Sequence, residues 1–124
     1  MTGLAFTAIL SVGPYRDLLL KVQGGLSMKQ GYVYIISNIK RNVIYIGVTS
    51  NLAQRLYQHR SKTVEGFSKK YNCVYLLWWE QPDSIVSAIE REKQLKGWTR
   101  AKKDILIKRQ NPELKDLANE LFCW

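Results

Sequence analysis

Residues 32–48, which read YVYIISNIKRNVIYIGV, decide the fold of this chain. Aromatic and β-branched residues alternate along residues 32–37 and again along residues 43–48, which predicts two strands. The segment between them, residues 38–42, is rich in turn-forming residues and too short for a parallel crossover. The two strands are therefore predicted to form an antiparallel hairpin.

Two tyrosines of this hairpin are predicted to share one face. Side chains alternate along a strand, so Tyr34 lies on the same face as Tyr32, and Tyr45 on the same face as Gly47. With a short turn near residues 39–40, Tyr34 falls close to opposite Tyr45, and the two phenols project as a pair. Core packing is the alternative interpretation, because tyrosine is common in strands.

Periodic segments after the hairpin predict helices around a small sheet. Residues 49–51 supply capping side chains for a helix that runs to about residue 62. Residues 63–68 are predicted to form a loop, and residues 71–79 a third, well-covered strand. Further helices are predicted over residues 82–97 and 99–110, with a short one ending at residue 121. The predicted fold class is α+β, a small three-stranded, mostly antiparallel sheet flanked by helices.

The composition indicates one basic domain. The chain has 124 residues and is 46% hydrophobic, which is enough for one packed core. It carries 19 Lys and Arg against 10 Asp and Glu, a formal charge of +9. Such an excess indicates a polyanionic partner, most simply nucleic acid, and a merely soluble basic protein is the alternative.

Residues 1–27 are predicted to form an N-terminal extension outside the functional domain, which then covers residues 28–124. The apolar run at residues 4–12 is too short to span a bilayer, and no basic start of a secretory signal precedes Arg16. We interpret the extension as the product of an upstream start codon. No membrane partner is expected, and the protein is expected to be cytoplasmic.

Cysteine and histidine usage argues against a zinc site. Cys73 and Cys123 lie far apart with no CxxC spacing, which also argues against a disulfide framework. His59 is the single histidine, so a site built on several histidines is excluded. We expect no zinc, and free thiols.

A helical pair after the hairpin is the next candidate. Arg55 and His59 are four residues apart and therefore neighbours on the helix surface, at the edge of the stripe formed by Leu52 and Leu56. Such a pair indicates contact with phosphate. A solvated face with no function is the alternative.

Glu92 is the strongest candidate for a metal ligand. The apolar face of the helix predicted over residues 82–97 consists of Ile85, Ala88, Ile89 and Leu95. Glu92 falls in the middle of this face, where a carboxylate is costly unless it is paired or binds a metal. A buried ion pair with Arg55 or with a lysine is the alternative.

Basic residues on this helix and after it are predicted to lie along a phosphate backbone. Those assigned to nucleic-acid binding are Lys93, Lys96, Arg100, Lys102 and Lys103. Trp98 among them either stacks on a base or anchors the helix, and anchoring is the favoured interpretation.

In order and spacing, these residues resemble the GIY-YIG nuclease superfamily, in its small stand-alone bacterial type. Residues 32–34 (YVY) stand where the family has its first triplet, and residues 45–47 (YIG) match the second. Residues 49–60 are similar to the family's catalytic helix, and residues 88–100 to its metal-ligand helix, which places the family glutamate at Glu92. The similarity extends from residue 28 to about residue 117.

The resemblance implies a GIY-YIG-like fold and a metal-dependent endonuclease that hydrolyses DNA phosphodiester bonds with Mg²⁺ or Mn²⁺, in DNA repair or recombination. The implied catalytic residues are Tyr34, Tyr45, Arg55, His59 and Glu92. A catalytically inactive nucleic-acid-binding module is the alternative function.

The resemblance also implies a role for each of these residues. Glu92 holds the metal with waters completing its shell, and Arg55 clamps the phosphate. Tyr34 activates water, which requires Arg55 and the metal to lower a phenol pKa that is ordinarily about 10. Tyr45 positions the water or stabilises the water shell of the metal, and His59 acts as a relay or as a phosphate donor.

Three positions depart from the family pattern. Tyr32 stands where the family name has glycine, although Gly31 precedes it directly. Val48 stands where members with repair roles often have lysine, and Asp104 or its basic neighbours stand where some members have a late asparagine. The preferred DNA structure, whether branched, single-stranded, damaged or plain duplex, therefore stays open.

Overall fold

A computed structural model of the chain describes residues 30–62 and 66–122. In chain order the elements within these ranges are β1 (Tyr32–Ser37), β2 (Ile44–Thr49), α1 (Leu52–Arg60), α2 (Phe67–Lys70), β3 (Tyr75–Glu80), α3 (Ile85–Lys96), α4 (Arg100–Gln110) and α5 (Ala118–Phe122). The predicted extension, residues 1–27, lies outside the described residues, so its place outside the domain stays a prediction.

The three strands form one antiparallel sheet in the order β2-β1-β3, with β1 at its centre. The predicted α+β architecture, a three-stranded antiparallel sheet flanked by helices, is confirmed. Among the described helices, none combines the length and the apolar character that crossing a bilayer requires.

The register of the hairpin differs from the predicted one. Tyr34 lies opposite Gly47, and Tyr45 lies opposite Ile36, so the two tyrosines are diagonal rather than facing neighbours. The loop is longer than a short turn because the Asn38 side chain accepts hydrogen bonds from the backbone N–H groups of residues 42 and 43, at 3.1 Å each. The two phenols nevertheless share one face, as predicted, with ring centroids 6.4 Å apart.

The third strand begins four residues later than predicted. Phe67 and Ser68, which were expected in a loop, begin the short helix α2, and Tyr71 ends it. Asn72 then adopts a left-handed conformation with φ of 61°, a conformation that asparagine tolerates better than most residues. This turn ends the helical segment and redirects the chain, so β3 begins only at Tyr75.

Each face of the sheet carries its own apolar core. The core on one face joins strand residues to helices α3 and α4 through Ile85, Ala88, Ile89, Leu95 and Ile107. The core on the other face joins Tyr34, Ile36 and Leu76 to helices α1 and α5 through Leu52, Leu56 and Ala118. Helix α3 approaches the sheet closely at Gly31, where an added Cβ would lie 2.6 Å from the Cα atom of Ile85.

Gly47 makes room for the ring of Tyr34. A Cβ atom at Gly47 would overlap the phenol of Tyr34, which crosses over the strand at this point. The glycine of the second triplet is therefore a packing requirement of the first triplet's tyrosine.

We expect Gly47→Ala to lower the free energy of unfolding by about 1–3 kcal/mol, because the methyl group overpacks the site and displaces Tyr34. Chemical denaturation measures this effect. Gly97→Ala is the control, since a Cβ there meets its nearest atom at 3.5 Å and Gly97 has a φ of −81°. An equally small effect of both substitutions would contradict the packing role of Gly47.

Candidate active site

Tyr34, His59 and Ser68 form a buried row of hydrogen-bonded side chains. The Tyr34 hydroxyl lies 2.9 Å from Nε2 of His59, and Nδ1 of His59 lies 3.0 Å from Oγ of Ser68. None of the three side chains is more than 3% exposed. The row therefore links the central strand β1 to helices α1 and α2.

His59 is buried because of its place in α1. Asn51 caps this helix by accepting a hydrogen bond from the Gln54 N–H at 3.1 Å. Leu52, Leu56 and His59 then follow at spacings of four and three, so all three side chains face the sheet. His59 therefore lies within the buried stripe rather than at its edge, and its two hydrogen-bond partners make burial of the imidazole tolerable.

Tyr45 completes an aromatic cluster around His59. Its ring centroid lies 5.6 Å from that of His59, and the Tyr34 ring lies 5.7 Å from the same imidazole. Tyr45 is only partly buried, whereas Tyr34 is almost fully enclosed. Of the two phenols, Tyr45 is therefore the one that faces the surface.

Arg55 is electrostatically coupled to this cluster. It lies one helical turn before His59 and is partly buried. Its positive charge acts to lower the pKa of Tyr34, of Tyr45 and of His59. Arg55 thus lies within electrostatic reach of both phenols and of the imidazole.

Glu92 belongs to helix α3, which packs on the face of the sheet opposite to α1. Its carboxylate is 1% exposed, and Oε2 lies 2.7 Å from Nζ of Lys96, one turn further along α3. The ion pair of Glu92 with a lysine, one of the alternatives considered from the sequence, is thus present in the structure. The negative charge of Glu92 raises the pKa of Tyr34 and Tyr45, so the carboxylate lies within electrostatic reach of both phenols.

Burial sets the protonation states of the row. Desolvation, together with the neighbouring Tyr45, raises the pKa of Tyr34 far above its usual value, and Arg55 offsets only part of this rise. Desolvation also lowers the pKa of His59 to about 4, so the imidazole is neutral at pH 7. In this structure the Tyr34 hydroxyl is therefore protonated at pH 7, whereas a phenolate that activates water would need a lowered pKa.

The five predicted nucleic-acid-binding residues lie in different surroundings. Lys96 and Lys103 line a cleft of about 300 Å³ together with Tyr45 and Phe67. Arg100 instead ties α4 to the hairpin loop: its guanidinium donates to the carbonyls of residues 41 and 42 and to the Asp104 carboxylate. The structure therefore places two of the five predicted residues beside a candidate catalytic tyrosine.

The other two basic residues lie on α3 and α4. Lys93 is partly buried in the last turn of α3. The Lys102 ammonium lies 4.4 Å from the ring centroid of Trp98, and Trp98 packs against the core between the sheet and α3. This packing favours Trp98 as an anchor of the helix, which was the favoured interpretation.

Ser68 and Phe67 were missed from the sequence. They belong to a short segment with no clear periodicity, which was interpreted as a loop, and no sequence signal connects Ser68 to a histidine nine residues earlier. Phe67 precedes Lys69 and Lys70 in the sequence, and this aromatic residue among basic ones, a pattern typical of nucleic-acid contact, was the available signal.

Comparisons with known proteins connect this geometry to a family. Residues 30–104 match the family described as the GIY-YIG catalytic domain. A UPF0213 protein of Syntrophus aciditrophicus is 39% identical over 87 residues, which cover 69% of this chain and 98% of that protein. A UPF0213 protein of Natronomonas pharaonis is 32% identical over 76 residues, 61% of this chain and 88% of that protein.

One solved structure is also similar. It is the solution NMR structure of the UPF0213 protein BH0048 from Bacillus halodurans, with 21% sequence identity and a TM-score of 0.47. The similarity covers 73% of this chain and 95% of that chain.

The lowered pKa of His59 predicts acid-sensitive stability. The unfolded chain binds a proton near pH 6.5, whereas the folded protein resists it until about pH 4. The contribution of His59 is therefore complete above pH 6.5 and declines by up to about 3 kcal/mol as the pH falls to 4. We expect the free energy of unfolding of His59→Gln to fall less steeply than that of the wild type over this range, as measured by urea denaturation. Parallel pH profiles would contradict the buried, neutral imidazole.

Proposed function

Because the chain belongs to the GIY-YIG family of nucleases and, within it, to the UPF0213 group, we propose that it is a metal-dependent endonuclease that hydrolyses DNA phosphodiester bonds. The observation that carries the proposal is the convergence of two phenols, an imidazole, a guanidinium and a buried carboxylate on one region of the fold. These groups belong to Tyr34, Tyr45, His59, Arg55 and Glu92.

Glu92 would hold the divalent cation. Within residues 30–62 and 66–122, no group of three or more His, Cys, Asp or Glu side chains could hold a metal, and Glu92 is the carboxylate whose charge acts on the two phenols. This donor set suits Mg²⁺, which keeps several waters and needs few protein ligands, and Mn²⁺ would substitute for it. When bound, the cation would stabilise charge on the phosphate and on the departing oxygen.

Tyr34 and His59 would move the proton of the attacking water together. In the tautomer in which Nδ1 of His59 donates to Ser68, Nε2 accepts from the Tyr34 hydroxyl. The water would give a proton to the Tyr34 oxygen while Tyr34 passes its own proton to His59. This relay requires no resting phenolate, which fits the raised pKa of Tyr34. Because burial lowers the pKa of His59 to about 4, the imidazole would hold the proton only transiently.

The remaining residues would bind and orient. Arg55 would clamp the scissile phosphate, because its charge already acts on the same phenols. Tyr45, which lines the surface cleft, would position the water or the phosphate. Lys96 and Lys103 of that cleft would contact the neighbouring phosphates of the strand.

A binding module without catalysis is the second candidate function. The ion pair between Glu92 and Lys96 is the observation that favours it, since this pair already satisfies the buried carboxylate in part. A role in DNA repair or recombination stays a prediction under either function.

We expect the purified protein to nick or cut DNA in Mg²⁺, and Glu92→Gln to lower the rate by at least about a hundredfold because the cation loses its carboxylate. DNA affinity in EDTA should change by less than about twofold. Glu90→Gln, an exposed carboxylate on the same helix, is the matched control. Equal cleavage by the two variants would contradict the metal role of Glu92.

The same site predicts competition between Lys96 and the cation. Because the Lys96 ammonium lies 2.7 Å from Oε2 of Glu92, a cation bound to that oxygen would compete with it. Lys96→Met leaves a buried carboxylate without this partner, so we expect its Tm in EDTA to fall by roughly 5 °C. Mg²⁺ should then raise the Tm of Lys96→Met more than that of the wild type.

Lys93→Met is the control for this experiment, since Lys93 lies in the same last turn of α3. Thermal unfolding is measured in EDTA and over a series of Mg²⁺ concentrations. The same Mg²⁺ shift in both variants would show that the cation does not compete with Lys96.

A further inference from the structure

Three aromatic rings form a continuous row from the candidate active site to the surface. The aromatic row consists of Tyr45, Phe67 and Tyr71. The rings of Tyr45 and Phe67 are stacked with centroids 6.3 Å apart and an interplanar angle of 23°, and those of Phe67 and Tyr71 are 4.6 Å apart. Phe67 is 47% exposed and Tyr71 is 41% exposed, so much of the row is open to a ligand.

Packing of helix α2 does not explain these exposed rings. Ser68 holds the helix in place: its side chain bonds to His59, and its carbonyl accepts a hydrogen bond from the Cys73 N–H at 2.9 Å. Ser68 is 3% exposed, in contrast to Phe67 beside it. Contiguous exposed apolar rings mark binding surfaces in many proteins.

Lysines lie at both ends of the row. Lys96 and Lys103 line the cleft of about 300 Å³ at the end formed by Tyr45 and Phe67. Lys70 lies over the other end, with Nζ 5.4 Å from the ring centroid of Tyr71. Aromatic faces between cations match the chemistry of a nucleic-acid strand, whose bases stack while its phosphates contact the lysines.

We propose that the aromatic row binds an unpaired nucleobase adjacent to the scissile phosphate, so that the substrate carries single-stranded nucleotides at the cleavage site. Bases within a duplex are stacked on each other and offer no free face to Phe67 or Tyr71. A strand end, a flap, a loop or a single strand offers one. The position of the cut phosphate rests on the proposed nuclease function, whereas binding of the base does not.

The test measures binding without cleavage. A single-stranded oligonucleotide containing 2-aminopurine, and the duplex made from it, are titrated with the full chain in EDTA. The wild type should bind the single strand more tightly and quench the 2-aminopurine fluorescence by stacking. Phe67→Leu should weaken single-strand binding by about tenfold and lessen the quenching, with a change of less than about twofold for the duplex.

Three further variants sharpen the comparison. Phe67→Tyr retains a ring and should bind within about twofold of the wild type. Tyr57→Leu removes a tyrosine that is 65% exposed but lies outside the row, and it should bind like the wild type. Tyr71→Leu should reproduce the loss, and it carries the comparison alone should Phe67→Leu fail to fold.

Equal affinities of the leucine variants and the wild type for the single strand would overturn the proposal, as would equal weakening of single-strand and duplex binding. These outcomes are separable from failure of the nuclease function. A protein that binds single strands through the row but cuts no DNA in Mg²⁺ would contradict the nuclease function alone. A protein that cuts DNA but binds equally well without the row would contradict the base-binding role alone.

Discussion

The hydrogen bond between the Tyr34 hydroxyl and the His59 imidazole is the constraint on which the site depends. It connects the central strand to helix α1 inside an otherwise apolar core, and Ser68 extends it to α2. Because the groups are buried, each must keep its partner, and an unpaired one would cost about 1–3 kcal/mol. Gly47 serves the same arrangement by leaving space for the Tyr34 ring.

The second organising feature is that helices on opposite faces of the sheet supply opposite charges to the site around Tyr34 and His59. Arg55 comes from the helix on one face of the sheet, and Glu92 comes from the helix on the other. A cation beside Glu92 and an anion beside Arg55 would each compensate a charge that the fold has already positioned. Lys96 balances Glu92 in this structure, so the buried carboxylate is not an isolated charge.

The parts of the fold that could be predicted from the sequence are those in which apolar residues recur with the period of a strand or a helix. The alternation along Tyr32–Ser37 gave a strand with the observed bounds, and the apolar stripe of α3 identified Glu92 as an inward-facing carboxylate. The hairpin register was missed because the Asn38 side chain shapes a loop that residue preferences alone describe as a shorter turn. The buried row was missed because Ser68 meets His59 only through the tertiary fold, from a segment without periodicity.

The proposed chemistry depends on Glu92 as the metal ligand beside the two tyrosines. Diffraction data collected at the manganese absorption edge, from crystals grown with Mn²⁺, test it most directly. With Glu92 as the ligand, we expect an anomalous peak within about 2.5 Å of a Glu92 carboxylate oxygen, with the Lys96 ammonium displaced from its present partner. An anomalous peak elsewhere on the protein, with the ion pair between Glu92 and Lys96 intact, would contradict it.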